Sequence, residues 1–246
     1  MRRLIAVLAL SSAAPLAWAD DFRIDCTPAA GMSCAEAFRD VAKDVTAVVN
    51  YKILGPAEPA GVLGFSVAAI GSYAPVRNED AWRTLTGRDI SEIGMAGGVV
   101  TAGLPLGFDV GFFYTGIPSS GGAAAYGAQV RYAVFDGGVA MPALAIGANY
   151  TSTNNIDDFD YSAWGVDAVL SKGFAFLTPY VGGGYVSSRT KAADGIKQSY
   201  DLHDESVDAG RFFAGVRIAM FFFDLTPEYE RFGSNDVYNL RLGLSF

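Results

Sequence analysis

Hydrophobic and polar residues alternate along much of the chain after residue 60, most clearly at the C-terminus. One set of alternate positions there is apolar: Tyr238, Leu240, Leu242, Leu244 and Phe246. The positions between them are mostly polar or small: Val237, Asn239, Arg241, Gly243 and Ser245. Because successive side chains of a strand point to opposite faces, this alternation predicts a strand with one apolar and one polar face.

Ten segments of this kind follow one another. They lie near residues 62–73, 92–103, 107–116, 123–135, 139–151, 161–171, 175–187, 209–222, 225–233 and 237–246. Most are about ten residues long, as a tilted strand must be to cross a membrane. Strands of soluble proteins are usually nearer to about five or six residues. The pattern predicts an all-β fold, a transmembrane antiparallel up-and-down β-barrel of about ten strands, with eight to twelve as the range.

The connections between these strands alternate in length. Tight turns are predicted at Pro105-Leu106, Asp136-Gly137-Gly138, Lys172-Gly173 and Phe223-Asp224. The other connections are mostly longer and more polar, at 74–91, 117–122, 152–160 and 188–208, with the short 234–236 as the exception. Outer-membrane barrels have short periplasmic turns and longer extracellular loops. We therefore expect both ends of the barrel, and the N-terminus of the chain, on the periplasmic side.

Aromatic residues cluster at the ends of the predicted strands. Near the long loops these are Tyr73, Tyr114, Tyr126, Tyr150, Tyr185, Tyr229 and Tyr238. Near the tight turns they are Phe108, Phe135, Phe174, Phe222 and Phe246. Two aromatic belts are expected where a barrel crosses the two membrane interfaces.

The N-terminus and the composition agree with export to a membrane. Residues 1–19 contain the parts of a secretory signal peptide, with basic Arg2 and Arg3, an apolar stretch, and the cleavage site Ala17-Trp18-Ala19. The chain is 51% hydrophobic and 18% charged, yet no later stretch of 18 uncharged apolar residues predicts a spanning helix. Removing the two arginines leaves 16 basic against 26 acidic residues, a net charge of −10. This balance argues against nucleic acid as a partner.

The two cysteines, Cys26 and Cys34, lie eight residues apart in an exported segment. An oxidising compartment predicts a disulfide between them. A metal site would need more ligands nearby, and the single histidine, His203, is far away in the sequence. We therefore expect no metal ion and no cofactor.

The last nine residues, 238–246, resemble the assembly signal of Gram-negative outer-membrane β-barrel proteins, with alternating apolar residues and a terminal phenylalanine. The Ser171-Lys172-Gly173-Phe174 turn and Thr178-Pro179-Tyr180 are similar to an uncharacterised family of small barrels. The resemblance covers about 60–246 and implies an outer-membrane location. The partners that it implies are the barrel-assembly machinery, outer-membrane lipid and lipopolysaccharide.

Two ion pairs are predicted inside the barrel. A two-residue turn at Phe223-Asp224 places Arg217 opposite Glu230 on the inward face. The same counting across the next hairpin places Glu228 opposite Arg241. A charge that faces lipid near the midplane costs roughly 2–4 kcal/mol, which favours inward placement. The pairs either form a polar constriction that selects solutes or fill a narrow barrel with salt bridges.

Small residues at inward positions leave room in the predicted lumen for water, an apolar ligand or the N-terminus of the chain. These positions include Gly111, Gly127, Ala145, Gly147, Gly165, Gly182, Gly184, Gly215 and Gly243. Residues 34–51 predict an amphipathic helix, and Ser33 with Glu36 forms a capping box. This helix is a plug, an element at the periplasmic interface, or a docking element. The predicted organisation is a signal peptide at 1–19, a periplasmic N-terminal segment at 20–60 and a barrel at 61–246.

Evidence for catalysis is weak. His203 and Ser206 are neighbours in a polar loop, whereas catalytic triads are assembled in space from ordered positions. Asp157, Asp158 and Asp160 lack the spacing of a calcium loop. We expect a non-enzymatic barrel that passes or binds small or apolar solutes. The alternatives are a structural or surface-interaction barrel that contacts lipopolysaccharide or a host, and a lipid-modifying enzyme.

Overall fold

The computed structural model describes residues 23–28, 31–116, 124–138, 140–154 and 156–245. Its strands are β1 Phe65–Pro75, β2 Glu92–Gly103, β3 Phe108–Gly116, β4 Ala124–Phe135, β5 Ala143–Asn154, β6 Phe159–Ser171, β7 Leu177–Ala192, β8 Glu205–Met220, β9 Phe223–Phe232 and β10 Asn235–Ser245. Its helices are α1 Cys34–Val49, α2 Glu79–Thr86 and α3 Asp194–Tyr200. The signal peptide and Phe246 lie outside the described residues, and signal cleavage stays a prediction.

The ten strands form a closed antiparallel barrel. Each strand pairs with its neighbours in the chain, and β1 closes the barrel on β10, with Tyr73 opposite Tyr238. The predicted fold and strand number are confirmed. Strands β7 and β8 extend further towards the long loops than predicted, and polar residues such as Arg189 and Asp208 occupy the outward face of these extensions. Apolar alternation no longer marks a strand there.

Large apolar side chains cover the outside of the barrel. A ring of exposed tyrosines surrounds the end with the longer connections, here called the long-loop end: Tyr73, Tyr114, Tyr126, Tyr150, Tyr185, Tyr229 and Tyr238. The exposed aromatic residues at the opposite, short-turn end include Phe108, Phe135, Phe174 and Phe222. Two belts flanking an apolar band are the outer surface of an outer-membrane barrel. The chain is therefore a protein of the Gram-negative outer membrane.

Two hairpins have a register different from the predicted one. The β8–β9 turn lies at Phe221-Phe222, two residues earlier than predicted, and Met220 pairs with Phe223. In the β9–β10 hairpin, Phe232 pairs with Asn235. Both shifts move the partners by an even number of positions. Each side chain therefore keeps its predicted face, but its cross-strand neighbours change.

Helix α1 begins at the predicted capping box. The Ser33 N–H donates to the Glu36 carboxylate at 2.9 Å, and the Glu36 N–H donates to Ser33 Oγ at 3.3 Å. The backbone hydrogen bond from Ser33 lowers the pKa of Glu36. The predicted Cys26–Cys34 disulfide is present and joins the first residue of α1 to the preceding segment. None of the described helices is both long and apolar enough to span a bilayer.

The first described residues of the chain lie at the long-loop end. The Asp25 N–H donates to the Leu85 carbonyl, and the Thr27 N–H donates to the Thr84 carbonyl, both at 3.0 Å. Both acceptors belong to α2, in the connection between β1 and β2. These contacts differ from the prediction, which put the beginning of the chain at the end with the tight turns. The even strand count fixes where the barrel itself begins, but the chain before β1 runs back through the lumen.

Candidate functional site

The lumen of the barrel is occupied by residues 34–60, here called the lumenal segment. Its helix α1 lies in the half nearest the long loops, where Thr46 Oγ1 and Ser188 Oγ are 2.8 Å apart. The chain then runs towards the short-turn end, where the Ala57 N–H donates to Ser171 Oγ at 3.0 Å. The sequence left three positions open for α1, and these contacts agree with the first of them, a plug inside the barrel.

The outer half of the lumen contains an apolar core. One face of α1 packs against α2 and against the inner surface of several strands. The largest side chains of this core include Phe38, Val41, Val45, Val48, Trp82, Leu85, Phe113, Tyr161 and Phe232. Burial of a large apolar side chain contributes roughly 1.5–3 kcal/mol. Displacing α1 would expose these side chains to water. Their burial therefore stabilises the position of α1 inside the lumen.

Asp44 joins three elements at the outer mouth. Its carboxylate accepts hydrogen bonds from Trp82 Nε1 at 3.0 Å and from Asn235 Nδ2 at 2.9 Å. Burial raises the pKa of the Asp44 carboxyl, although these two hydrogen bonds act in the opposite direction. The carboxylate thus connects α1 to α2 and to the beginning of β10.

A layer of buried charges lies below α1. Arg211 donates from Nε to the Asp167 carboxylate at 2.6 Å and from Nη1 to Asn50 Oδ1 at 3.1 Å. The Glu230 carboxylate is 3.9 Å from Arg211 and 3.7 Å from Lys52. Buried charges are tolerated when they are paired and hydrogen-bonded. The layer therefore ties Asn50 and Lys52 of the lumenal segment to β6, β8 and β9.

Two arginines of the barrel wall hold the lower part of the lumenal segment. Arg131 donates to the carbonyl oxygens of Pro56 at 2.7 Å and Glu58 at 3.1 Å. It also pairs with the Asp109 carboxylate at 2.9 Å. Arg217 pairs with the Glu58 carboxylate at 2.8 Å. Arginine suits this position because its five N–H donors can serve several acceptors at once.

The predicted Arg217–Glu230 ion pair is wrong. The register of β8 and β9 places Phe213, not Arg217, opposite Glu230. Arg217 lies nearer the short-turn end and binds Glu58 of the lumenal segment. Glu230 lies higher in the lumen, within reach of Lys52. Both partners that replace the predicted ones, Glu58 and Lys52, come from outside the strands, so strand counting could not find them.

The predicted Glu228–Arg241 ion pair is also wrong. Asn239 lies opposite Glu228 and donates to its carboxylate at 3.1 Å. The Tyr180 hydroxyl donates to the same carboxylate at 2.8 Å. Arg241 lies nearer the short-turn end and binds Asp224. The change of register in the β9–β10 hairpin accounts for this exchange of partners.

Glycines of the wall make room for the lumenal segment at two places. A Cβ atom at Gly127 would lie 3.2 Å from Tyr51 Cβ, and one at Gly147 would lie 2.7 Å from Ile53 Cδ1. Other inward glycines make room for side chains of the wall itself: Gly111, Gly165, Gly182, Gly184, Gly215 and Gly243. Small lumenal residues therefore accommodate both the segment and the large side chains beside them.

A cavity of about 280 Å³ remains at the short-turn end of the lumen. Arg131, Arg217 and Arg241 line it, each close to a carboxylate. Gln129 Oε1 and Arg217 Nε are buried there and have no hydrogen-bond partner among the described residues. Donors and an acceptor that face one space can bind a small polar molecule that carries an anionic group.

Several charged residues of the lumen were not predicted as site residues, although the alternation of the strands marked most of them as inward-facing. These residues occupy inward positions of strands: Asp109, Arg131, Asp167 and Arg211. Lys52 and Glu58 lie in an irregular segment, where no periodicity marks a face. His203 is exposed in the stretch after α3. Within the described part of the chain, no three His, Cys, Asp or Glu side chains are placed to hold a metal ion.

Comparison with known proteins gives structural similarities only. No protein-family model and no curated protein matches the chain. Neisserial surface protein A (NspA) is 14% identical, over 74% of this chain and 95% of its own, with a TM-score of 0.35. The attachment invasion locus protein Ail of Yersinia pestis is 13% identical, over 75% and 100%, with a TM-score of 0.31. The outer membrane protease OmpT from Escherichia coli is 8% identical, over 75% and 96%, with a TM-score of 0.37.

Proposed function

We propose that the protein is a non-enzymatic outer-membrane barrel that is closed by its own lumenal segment and acts through its external surface. The observation that carries this proposal is the apolar core between α1, α2 and the wall. Such a core excludes water and ions, and opening it would expose side chains such as Phe38 and Trp82. Loss of a lipid-modifying activity on His203→Ala would contradict the non-enzymatic part of the proposal.

Conductance across planar bilayers tests the closure. We expect the full-length mature protein to show no steady open level, because α1 occupies the outer half of the lumen. A variant without residues 20–52 should conduct if its barrel folds, and heat-dependent migration on gels reports folding. Steady conductance of the full-length protein would contradict the proposal and would favour passive passage of solutes.

Lipopolysaccharide is the partner that we propose for the outward face of β7. Arg189 and Lys191 are exposed on this face, beyond Tyr185 of the aromatic belt. At about 3.3 Å per residue, Arg189 lies roughly 13 Å along the strand from Tyr185, outside the hydrocarbon layer. Ser162 and Ser206 are its cross-strand neighbours. An arginine between two neutral residues remains available to bind a phosphate group.

Replacement of both cations by glutamine tests this contact. The Arg189→Gln, Lys191→Gln variant should bind lipopolysaccharide about tenfold more weakly in a pull-down titration, because the charge-assisted contact of Arg189 is lost together with the positive charge of Lys191, which lies opposite Asp160. Lys197→Gln is the matched control, since the Lys197 ammonium already pairs with Asp204 at 2.8 Å. Equal binding by the double variant and the control would exclude this face as the lipopolysaccharide site.

The barrel-assembly machinery is the partner that we propose for β10. The outward side chains of this strand, Tyr238, Leu240, Leu242 and Leu244, are all exposed. Phe246, the last residue of the assembly signal, lies outside the described residues. Replacing Leu242 by Asp should slow insertion of the barrel in cells, and normal insertion would argue against recognition through this face.

A second candidate function is binding of a small anionic solute in the cavity at the short-turn end. The buried Gln129 Oε1 and Arg217 Nε atoms, which face this space, favour it. Passage of the solute across the membrane would further require displacement of α1. Titration calorimetry with a small hydroxydicarboxylate should give a binding signal that an uncharged polyol does not give, and Gln129→Leu should weaken it, because Gln129 Oε1 can accept from the hydroxyl group of the solute.

A further inference from the structure

The connections at the short-turn end are poor in charge. They comprise residues 61–64, 104–107, 136–142, 172–176 and 221–222, here called the turn rim. Asp136 and Lys172 are its only charged residues in the sequence. At the long-loop end, the single connection 76–91 carries six: Arg77, Glu79, Asp80, Arg83, Arg88 and Asp89. The two ends of the barrel are therefore built for different surroundings.

Large apolar side chains project from the turn rim. Leu63 is 90% exposed, Leu106 is 85% exposed, and Phe221 is fully exposed. Val62, Met141, Phe174, Phe176 and Phe222 are each more than half exposed. A single exposed apolar residue is ordinary, but a set that recurs on successive connections marks an interaction surface.

The backbone at these positions disfavours the residues that occupy it. Leu63, Leu106 and Phe221 have φ angles of 68°, 65° and 55°. Left-handed backbone is unfavourable for residues that carry a Cβ atom, and Gly, Asn or Asp is usual there. Asp201, at the long-loop end, follows this rule with a φ of 52°. The three apolar residues oppose both the local backbone preference and water, so a favourable contact elsewhere must offset them.

We propose that the turn rim is inserted into the periplasmic leaflet of the outer membrane, with its apolar side chains among the phospholipids. The rim continues the lipid-facing surface directly, since the Leu106 turn leads into outward-facing Phe108. Lys172 Nζ donates to the carbonyl oxygens of Gly138 at 2.6 Å and Met141 at 3.3 Å, within the rim itself. A bilayer surrounds the barrel and contacts every connection, which matches the distribution of these residues.

A tryptophan at Leu106 tests the depth of the turn rim. In vesicles of phosphatidylcholine brominated near the headgroup, Leu106→Trp should lose roughly half of its emission, and aqueous acrylamide should quench it weakly. Ser234→Trp, in the β9–β10 turn at the other end, is the matched control and should show the opposite behaviour. Trp164 lies in the outer belt and is replaced by Phe in every protein, and the emission of the buried Trp82, measured in the Trp164→Phe protein alone, is subtracted.

Quenching of Leu106→Trp by the brominated lipid supports the proposal. Quenching by acrylamide instead would place the turn rim in water and overturn it. Protection from both quenchers would mean that a second copy of the chain covers the rim, which would overturn it as well. Phe221→Trp repeats the measurement at another connection if Leu106→Trp does not fold, as judged by heat-dependent migration on gels.

Discussion

Individual charged residues differ widely in how much they contribute to holding the lumenal segment. Arg211 compensates Asp167 and Glu230, and all three side chains are at most 2% exposed. Removing one member of such a group leaves a buried charge without compensation, which costs about 3–5 kcal/mol. The Arg217–Glu58 pair is about one-third exposed on each side, and solvent-screened pairs contribute roughly 0.2–1 kcal/mol.

Arg211→Met and Arg217→Met should therefore differ in stability although both remove a lumenal cation. We expect Arg211→Met to lower the free energy of unfolding by about 3–5 kcal/mol and Arg217→Met by less than about 1 kcal/mol. Urea unfolding of the protein folded into lipid vesicles measures both values. Equal losses in the two variants would show that the buried layer has no special role.

At the level of elements, the strands and their order were predictable, but the residue register of two hairpins was not. Period-two alternation is imposed by lipid on one face, so it marks each strand within a few residues. The β8–β9 turn escaped because Phe221-Phe222 lacks the Gly, Asn or Asp residues that usually identify a hairpin turn. An error of two residues there was enough to exchange the partners of Arg217 and Glu230.

The position of the lumenal segment could not be derived from the strands. The amphipathic pattern and the capping box correctly predicted a helix over most of residues 34–51. They could not say which surface covers its apolar face, because a barrel wall, a membrane interface and a partner protein all present apolar groups. The inward glycines were the useful signal, but they also accommodate side chains of the wall.

A size exchange between Gly147 and Ile53 tests how the lumenal segment fits its strand. Gly147→Val should destabilise the barrel by about 1–3 kcal/mol, because the new side chain overlaps Ile53 Cδ1. Ile53→Ala in the same chain should restore much of the loss, and thermal unfolding monitored on gels compares the three proteins. A double variant no more stable than Gly147→Val would show that the two residues are not in contact.

At the scale of the whole molecule, the chain passes along the barrel in two different ways. It first runs through the lumen from the long-loop end to the short-turn end, and then returns ten times as the wall. The contacts of Asp25 and Thr27 with α2 keep the first described residues at the end that carries the long loops. The barrel thus has charged, helix-bearing connections at one end and apolar turns at the other.

This arrangement predicts that the mature N-terminus is accessible from outside the cell. A short epitope inserted after Asp21 should bind antibody on intact cells, because long loops of outer-membrane barrels are extracellular. The same epitope inserted after Gly138, in a short turn, is the control and should bind only after the outer membrane is permeabilised. Labelling of the N-terminal epitope only in permeabilised cells would contradict the arrangement.

The path of the chain bears on the order in which β1 pairs with β10 and the lumenal segment enters the barrel. A helix with its side chains is about 10 Å across, and α1 is packed against the wall and joined to β1 by residues 50–64. After β1 has paired with β10, the end of the chain that carries the disulfide could reach the long-loop end only by threading through the lumen. We therefore expect α1 to take its place before β1 pairs with β10, so that closure of the sheet waits for the folding of a helix that belongs to no strand.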